Sequence, residues 1–227
     1  MGRISTADVF DALYEDYDKW YEKNRTIAEA EARLVEEMAR NAPRPFIEIG
    51  VGTGFFASRV RAEIGLDPSI NMLKVAKERG VENLILGVGE EVPLRNSSVG
   101  TVLLIVTLCF VDDPERVLDE AHRILRDGGS VIACIVPADS EWGAYYKELG
   151  KRGHRFYSKA RFYTREEVAR MLDKAGFVVV ESKGVLSFSP RDTPAFEEPS
   201  DNVEGKGFVC IRAVKRSLGT QHSHQAQ

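Results

Sequence analysis

The hydrophobic positions of this chain follow two different spacings. Short, nearly continuous apolar runs occupy residues 45–49, 62–66, 84–88, 101–107 and 130–136. Between these runs, apolar residues recur every three or four positions, as on one face of an amphipathic helix. Because strands that alternate with helices pair in parallel, the pattern predicts an α/β fold with a doubly wound, mostly parallel sheet. Two later runs, at 176–181 and 207–212, predict an antiparallel pair at one edge.

The sequence before the first run predicts a helical cap over residues 1–42, with helices at 6–22 and 26–40. The first helix is unusually aromatic, and its rings belong to Phe10, Tyr14, Tyr17, Trp20 and Tyr21. Two interpretations are equally open. The segment is a helix packed on the core, or it is a lid whose rings close over ligand and substrate. The Glu and Arg residues of the second helix predict a solvated face.

The rest of the chain divides into a core over residues 43–216 and a short tail. Within the core, residues 138–163 hold aromatic side chains among basic ones. This insert either covers the substrate or forms a surface helix with an inward aromatic edge. The tail, residues 217–227, has no apolar pattern, so we expect it to be flexible and expect His222 and His224 not to bind metal.

The composition narrows the functional classes. The 227 residues are 43% hydrophobic with a formal charge of −4, which suits one globular domain and argues against a broad nucleic-acid-binding face. No apolar run reaches the ~18 residues of a membrane span, and the N-terminus lacks an apolar signal core, so we expect a cytoplasmic protein. We expect Cys109, Cys134 and Cys210 to be buried, reduced thiols, since they lack the spacing of metal ligands.

The end of the first apolar run carries the clearest chemical signal. The pattern Glu48-x-Gly50-x-Gly52-x-Gly54 predicts a buried strand, a tight turn and the start of a helix. Glycines allow positive φ and let a ligand approach the main chain, and the helix start offers unpaired N–H groups. The plainer interpretation is a turn that only joins strand to helix.

Two details favour a cationic ligand over a dinucleotide. In a dinucleotide fold the third glycine follows the second by three residues, but that position here is Phe55. The carboxylate of Glu48 at the strand end would repel a pyrophosphate but not an ammonium or sulfonium group. NAD is therefore the weaker alternative.

An acidic residue ends the second apolar run. Asp67 follows Glu48 at the interval at which a βαβ unit places a carboxylate that accepts hydrogen bonds from both ribose hydroxyls. Alternatively, Asp67 caps the helix that starts near Ser69, and one residue can do both. In that helix, Met72 either lies against an adenine or packs in the core.

These segments resemble the class I S-adenosylmethionine-dependent methyltransferases of the small, Rossmann-like type. The resemblance covers roughly residues 44–183, and its strongest parts are the glycine turn, Asp67 and the segment from Asp113 to Gly129. That segment is similar to the family's Asp-Pro-x-x-x-Leu-x-Glu…Leu-Lys-Pro-Gly-Gly pattern. The resemblance implies a seven-stranded sheet of order 3-2-1-4-5-7-6, with the seventh strand antiparallel and helices on both faces. It also implies in-line methyl transfer from S-adenosylmethionine to a small-molecule acceptor, leaving S-adenosylhomocysteine.

The resemblance further implies a set of cofactor contacts at the ends of the first four strands. These are Glu48, Gly50, Val51, Gly52 and Gly54, then Asp67, Pro68 and Met72, then Val88, Gly89 and Glu90, and finally Thr107 and Leu108. Two positions depart from the family pattern. Val88 stands where an Asp usually meets the adenine amino group, and Val99-Gly100 replaces a Phe-Asp pair before the fourth strand.

The candidate acceptor site draws on the cap, the loop after the fourth strand and the insert. Its residues are Tyr17, Tyr21, Cys109, Phe110 and Tyr146. We assign no catalytic base, because a well-placed nucleophile can attack an activated sulfonium unless the acceptor retains its proton. The two departures also keep open a second hypothesis, a non-catalytic cofactor-binding sensor or partner subunit.

Overall fold

The structure is a computed structural model that describes residues 5–216. Residues 1–4 of the predicted cap and the predicted tail, with His222 and His224, lie outside the described part. The helices are α1 (Thr6–Ala12), α2 (Tyr14–Lys23), α3 (Arg25–Ala39), α4 (Phe55–Val60), α5 (Ile70–Glu78), α6 (Pro114–Ile124), α7 (Glu141–Lys151) and α8 (Arg165–Lys174). The strands are β1 (Phe46–Ile49), β2 (Ile64–Asp67), β3 (Asn83–Leu86), β4 (Val99–Ile105), β5 (Leu125–Ile135), β6 (Phe177–Val185) and β7 (Phe208–Lys215).

The seven strands form one sheet in the order β3-β2-β1-β4-β5-β7-β6. Strands β1 to β5 run parallel, and β7 is antiparallel to both β5 and β6. This confirms the doubly wound α/β fold and the strand order that the resemblance implied. Every residue of β4 is buried, because helices cover both faces of the sheet there.

Two hydrophobic cores lie on opposite faces of this sheet. One contains buried residues of α3, α4, α5 and α7, including Leu34 and Met38. The other contains buried residues of α6 and α8, including Leu118 and Leu172. Among residues 5–216, no helix is long and apolar enough to cross a membrane. This arrangement leaves the carboxyl ends of the central strands as the edge at which doubly wound folds bind ligands.

The first predicted helix, 6–22, is two helices rather than one. Leu13 leaves the helical conformation, with φ −119° and ψ 22°, and separates α1 from α2. The break lets the two helices pack on different partners, α1 on α5 and α2 on α3. Asp11 at the end of α1 accepts hydrogen bonds from the Ser69 hydroxyl and the Asn71 amide, at 2.7 and 3.1 Å. Apolar periodicity predicted the helical segments but not this tertiary anchor.

The expectation of three reduced thiols is wrong for two of the cysteines. Cys134 on β5 lies directly opposite Cys210 on the antiparallel strand β7, and the two form a disulfide. Residues in opposed positions of neighbouring strands have adjacent side chains, which is why the pairing is possible. Because the two cysteines are 76 positions apart in the sequence, the sequence offers no local sign of the disulfide. Cys109 is free.

The departure at Gly100 has a packing reason. A Cβ on Gly100 would lie 2.3 Å from the carbonyl oxygen of Pro43 and 2.6 Å from that of Arg44. The Gly100 amide also donates to the carbonyl of Pro45, at 2.9 Å. Because the chain entering β1 crosses so closely over β4, no larger residue fits at this position.

Candidate active site

A cavity opens at the carboxyl ends of β1, β2 and β4, beneath the N-terminal helices. Many of the residues that line this cavity are ones that the sequence analysis selected. These are Gly50, Gly52, Asp67, Pro68, Met72, Val88, Gly89, Glu90 and Thr107 from the cofactor set, and Tyr17 and Phe110 from the acceptor set. Because β1 separates β2 from β4, this is the point at which the strand order reverses, where doubly wound folds bind their ligands.

Other predicted site residues do not line this cavity. They are Glu48, Val51, Gly54 and Leu108 from the cofactor set, and Tyr21, Cys109 and Tyr146 from the acceptor set. Val51 and Leu108 are core residues. Tyr146 is a core residue too, and Tyr21 packs against the same core.

The sequence analysis missed a further group of lining residues. They are Ser5, Thr6, Ala7 and Phe10 from the cap, Ile49 and Leu66 from strand ends, and Ile105, Val106, Val111 and Asp112 around the loop after β4. The aromatic run in the first predicted helix was the signal that could have selected Phe10. The apolar residues at the strand ends have no signature beyond the strand pattern itself.

The three glycines of the turn all have positive φ, at 74°, 51° and 77°, but their surroundings differ. A Cβ on Gly50 would lie 2.7 Å from Thr107, and a Cβ on Gly54 would lie 3.0 Å from the backbone of Ala76. These two glycines therefore allow close packing of the end of β4 and of α5. At Gly52 the nearest neighbour would be the Tyr17 ring, at 3.6 Å. Gly52 is thus the glycine that keeps space open in the cavity.

Asp67 holds the turn and the start of α5 together. Its carboxylate accepts hydrogen bonds from the Gly52 amide at 2.8 Å and from the Ser69 amide at 2.9 Å. The N-cap of α5 is Ser69, whose hydroxyl accepts from the Met72 amide. Burial raises the pKa of Asp67 to about 6, against the lowering effect of the two amides. Each carboxylate oxygen has a second lone pair that can accept a hydroxyl from the cavity.

Glu48 is a buried carboxyl with an unpaired oxygen. It is 2% exposed, and its Oε2 atom has no hydrogen-bond partner. Burial, followed by the nearby negative charge of Asp67, raises the pKa of Glu48 well above its usual value, while the Ala57 amide lowers it. An unpaired buried carboxyl destabilises the protein unless a cationic or hydrogen-bonding group compensates for it. Glu48 therefore places a potential negative charge behind the glycine turn.

The loop after β3 presents an apolar side chain to the cavity. Val88 is 46% exposed and lines it, while Gly89 packs so closely that a Cβ would lie 2.8 Å from Ile49. The Glu90 carboxylate accepts hydrogen bonds from the amides of Asp112 and Asp113, at 3.1 and 3.2 Å. One oxygen of Glu90 is thus committed to the segment that leads into α6.

The loop after β4 contains a strained residue. Val106 has φ 52°, a left-handed conformation that a β-branched residue adopts only under tertiary constraint. Its amide donates to the Cys134 carbonyl, and the Thr107 hydroxyl donates to the Ile49 carbonyl at 3.0 Å. The thiol of Cys109 donates to the Val106 carbonyl, and burial raises the pKa of Cys109 to about 12. Cys109 is therefore a protonated thiol near neutral pH and a poor nucleophile.

Aromatic rings from three parts of the chain meet over the cavity. Phe10 and Tyr17 come from the cap, Phe110 from the loop after β4, and Phe156 from the insert. Phe10 lies 4.9 Å from both Phe110 and Phe156 and 5.5 Å from Tyr17, measured between ring centroids. The cap and the insert thus jointly cover the strand ends.

Acidic residues fasten the cap to the core. Asp18 forms a two-pronged ion pair with Arg79, at 2.6 and 2.9 Å, and Arg79 also donates to the carbonyl of Thr53 in the glycine turn. Asp16 pairs with Arg155 of the insert at 2.6 Å. The cover is therefore held on both sides of the cavity. Within residues 5–216, no group of three or more potential metal-ligating side chains comes together.

Comparisons with known proteins agree on one family. A family model described as a methyltransferase domain matches residues 47–133. An uncharacterized protein from Methanocaldococcus jannaschii is 35% identical over 209 residues, which cover 92% of this chain and 99% of that protein. A crystal structure from Thermotoga maritima, named as a SAM-dependent methyltransferase and possible histamine N-methyltransferase, matches with a TM-score of 0.86 and 34% identity. The match covers 93% of this chain and 100% of that one.

The chain belongs to the class I S-adenosylmethionine-dependent methyltransferases. A more distant methyltransferase shares the fold, the magnesium protoporphyrin IX methyltransferase of Synechocystis, solved with S-adenosylhomocysteine bound. It has a TM-score of 0.65 and 14% identity, over 92% of this chain and 97% of its own.

The geometry of this methyltransferase fits the cofactor of its family. The space above Gly52 allows a ligand to approach the main chain, and Asp67 retains lone pairs for ribose hydroxyls. Glu48, behind the turn, keeps an unpaired oxygen whose ionisation a nearby cation would favour. An S-adenosylmethionine-binding methyltransferase therefore agrees with the polar groups that this cavity presents.

Proposed function

We propose that the protein transfers a methyl group from S-adenosylmethionine to a small-molecule acceptor. The observation that carries this proposal is the aromatic cover: Phe10, Tyr17 and Phe110 line the cavity, and Phe156 of the insert packs on Phe10 and Tyr17. A cavity bordered by packed rings suits a small acceptor better than a macromolecular one. The formal charge of −4 also offers no general attraction for nucleic acid.

The glycine turn and Asp67 would hold the cofactor. The main chain at Gly52 approaches it without a Cβ, and Asp67 accepts the ribose hydroxyls. Glu48 lies behind the turn with an unpaired oxygen, and its raised pKa favours the neutral carboxyl until a cation comes near. Met72 and Val88 would lie along the base as apolar surfaces. When bound, S-adenosylmethionine supplies a methyl group that is activated by its bond to a sulfonium. The electron pair of that carbon–sulfur bond stays on sulfur when the methyl group is transferred.

The acceptor would lie between the cofactor and the aromatic cover, against Tyr17 and Phe110. The chain's own contribution is to orient the acceptor and to exclude water, which can supply much of the acceleration when the leaving group is already activated. Cys109 is not a nucleophile here, since its thiol is protonated and donates to the Val106 carbonyl. The name given to the 34% identical Thermotoga protein, with its amine acceptor, supports a small-molecule acceptor for this chain too.

A second candidate function is cofactor binding without catalysis. The observation that favours it is the anchoring of the cap, because the pairs Asp18–Arg79 and Asp16–Arg155 oppose the opening that an acceptor needs. Val88 also favours this second function, since it places an apolar side chain in the cavity where the family usually has an Asp. On this hypothesis, the cap would stay closed over the cofactor, and the protein would act as a sensor or partner subunit.

Binding and turnover experiments separate these functions. Calorimetry should detect S-adenosylhomocysteine binding, whereas NAD should not bind. Incubation with methyl-labelled S-adenosylmethionine and a panel of small amines, phenols, carboxylates and thiols should then give a labelled product and S-adenosylhomocysteine. Cofactor binding without any product across the panel would favour the sensor. Absence of cofactor binding would contradict both functions.

A further inference from the structure

Arg79 at the end of α5 connects two parts of the site, although in the described structure it does not line the cavity. It is the C-cap residue of the helix, and its side chain is 27% exposed. A basic residue is common at a helix C-terminus, because its charge compensates for the helix dipole. The sequence therefore does not mark Arg79 as part of the site. In the structure, however, its guanidinium forms hydrogen bonds with two other segments of the chain.

The first of these segments is the cap. The two carboxylate oxygens of Asp18 on α2 accept hydrogen bonds from two nitrogens of the Arg79 guanidinium, at 2.6 and 2.9 Å. The Asp18 side chain is 22% exposed, whereas the side chains of the Glu15–Lys19 pair on the same helix are 63% and 53% exposed. A two-pronged ion pair that is partly desolvated is stronger than a single exposed one. The Asp18–Arg79 pair therefore contributes to the docking of α2 on the core.

The second segment is the glycine turn. Arg79 donates to the backbone carbonyl of Thr53 at 2.9 Å and to the Thr53 hydroxyl at 2.7 Å. Thr53 is 1% exposed and lies between Gly52 and Gly54 in the turn. Because a guanidinium is a rigid, planar group, its hydrogen bonds to Asp18 and Thr53 fix the position of α2 relative to the turn.

A second chain of hydrogen bonds joins the other cap helix to the same turn. The Ser69 hydroxyl donates to Asp11 on α1 at 2.7 Å, and the Ser69 amide donates to Asp67 at 2.9 Å. The Asp67 carboxylate also accepts from the Gly52 amide, at 2.8 Å. The two chains of hydrogen bonds therefore end at neighbouring residues of the turn, Gly52 and Thr53. Both cap helices are thus connected, through the two ends of α5, to the turn that lines the cavity.

The cap also contributes two aromatic rings to the cavity. Phe10 of α1 and Tyr17 of α2 line it, and the Tyr17 ring lies 3.6 Å from the Cβ position of Gly52. Tyr17 directly precedes Asp18 in the chain, so a shift of α2 away from Arg79 would also move this ring away from the turn. The docked position of α2 and the shape of the cofactor cavity therefore depend on the same contacts.

We infer that Arg79 is a positioning residue that couples the docking of the cap to the binding of the cofactor. This inference rests on the proposed cofactor contacts at Gly52 and Asp67, and it adds a residue that does not touch the ligand. Arg79 acts through Asp18, which it holds against the core, and through Thr53, whose carbonyl it fixes. Coupling between two equilibria is reciprocal. A bound cofactor therefore stabilises the docked cap, and a loosened cap weakens cofactor binding.

Hydrogen exchange on the full-length wild-type protein tests the coupling. Amide exchange in α1 and α2 is measured without ligand and with saturating S-adenosylhomocysteine, whose affinity is determined separately by calorimetry. The ligand should slow exchange in both helices by about fivefold or more, whereas α8, which packs on the opposite face of the sheet, should change less. If S-adenosylhomocysteine binds but exchange in the cap is unchanged, the inference is wrong and the proposed function stands. Failure of S-adenosylhomocysteine to bind overturns both.

Variants at both ends of the ion pair then test the role of Arg79 itself. Asp18→Asn and Arg79→Met should each bind S-adenosylhomocysteine about tenfold or more weakly, and the ligand should protect their cap helices less from exchange. The double variant should bind no more weakly than Arg79→Met, because both substitutions remove the same link. Glu15→Gln, on the same helix but paired with Lys19 at the surface, should behave as the wild type does.

Two results would overturn the assignment to Arg79. One is wild-type affinity and cap protection in Asp18→Asn, and the other is additive losses in the double variant. The wild-type experiment and Asp18→Asn decide the question even if Arg79→Met does not fold.

Discussion

Asp67 and Glu31 are both buried carboxyls, but their surroundings are opposite. Asp67 accepts hydrogen bonds from two backbone amides, whereas Glu31 accepts none from the described part of the chain. The pKa is raised to about 6 for Asp67 and to about 8 for Glu31, because the amides compensate for part of the burial at Asp67 alone. Backbone amides thus compensate for part of the buried charge at Asp67, whereas none does so at Glu31.

A similar difference separates the cofactor side of the site from its aromatic cover. The main chain shapes the cofactor side, through the three turn glycines with positive φ and the ends of the strands beside them. Side chains of the cap and the insert form the cover. A binding region made from backbone is rigid before a ligand arrives, whereas a cluster of side chains can adjust around one. Four predictions test this contrast, from the largest expected effect to the smallest.

Gly52→Val should nearly abolish cofactor binding. The added side chain would occupy the space that Gly52 keeps open beneath Tyr17, so the affinity for S-adenosylhomocysteine should fall by about a hundredfold or more. Calorimetry measures this affinity, and circular dichroism verifies the fold. The matched control is Gly128→Val, where φ is 73° and no atom would lie within 4 Å of the new Cβ. That variant carries similar backbone strain and should bind S-adenosylhomocysteine with the affinity of the wild type. Unchanged affinity in a folded Gly52→Val protein would refute this account of the turn.

Asp67→Ala should weaken S-adenosylhomocysteine binding by roughly tenfold to several hundredfold. The reason is the loss of two hydrogen bonds to a charged acceptor, each worth ~1.5–3 kcal/mol. An analogue lacking both ribose hydroxyls provides the control, because its affinity should change much less in the variant. Equal losses for both ligands, measured by calorimetry, would mean that Asp67 only supports the Gly52 and Ser69 amides.

Glu31→Gln should alter how stability depends on pH. The pKa of Glu31 is raised in the folded protein, so its contribution to stability is fully present below the unfolded pKa and is lost as pH rises through about 8. The wild type should therefore lose up to a few kcal/mol relative to Glu31→Gln between about pH 5 and pH 8.5. Glu48 and Asp67 shift in the same direction but are present in both proteins, so the difference isolates Glu31. Urea unfolding at several pH values measures it, and parallel curves for the two proteins would contradict the prediction.

Val88→Asp should strengthen cofactor binding by about tenfold or less. A carboxylate at this exposed position could accept a hydrogen bond from the adenine amino group, at the cost of partial desolvation. Glu90→Ala is the comparison, because Glu90 already accepts from the amides of Asp112 and Asp113 and its loss should loosen the loop. If Glu90 also serves the base, Glu90→Ala should weaken binding and Val88→Asp should do little. If neither variant changes affinity or the preference for adenine over hypoxanthine, this loop does not contact the base.

The sequence by itself determined most of the fold and the backbone side of the site. Apolar spacing predicted the strands, and the resemblance implied their order, because periodicity and turn chemistry act over a few neighbouring residues. Gly50, Gly52 and Asp67 could be selected for the same reason: a turn with positive φ and a carboxylate at a strand end are local features. The sequence did not distinguish the glycine that faces the cavity from the two that allow close packing.

Tertiary structure alone decided the features that depend on segments far apart in the chain. The break at Leu13 follows from the docking of α1 on α5, and Cys134 meets Cys210 only because β7 lies beside β5. Glu31 has the sequence surroundings of a solvated residue, and only tertiary packing around α3 buries it. Burial and pairing depend on which distant side chains arrive at the same place, and no local pattern records that.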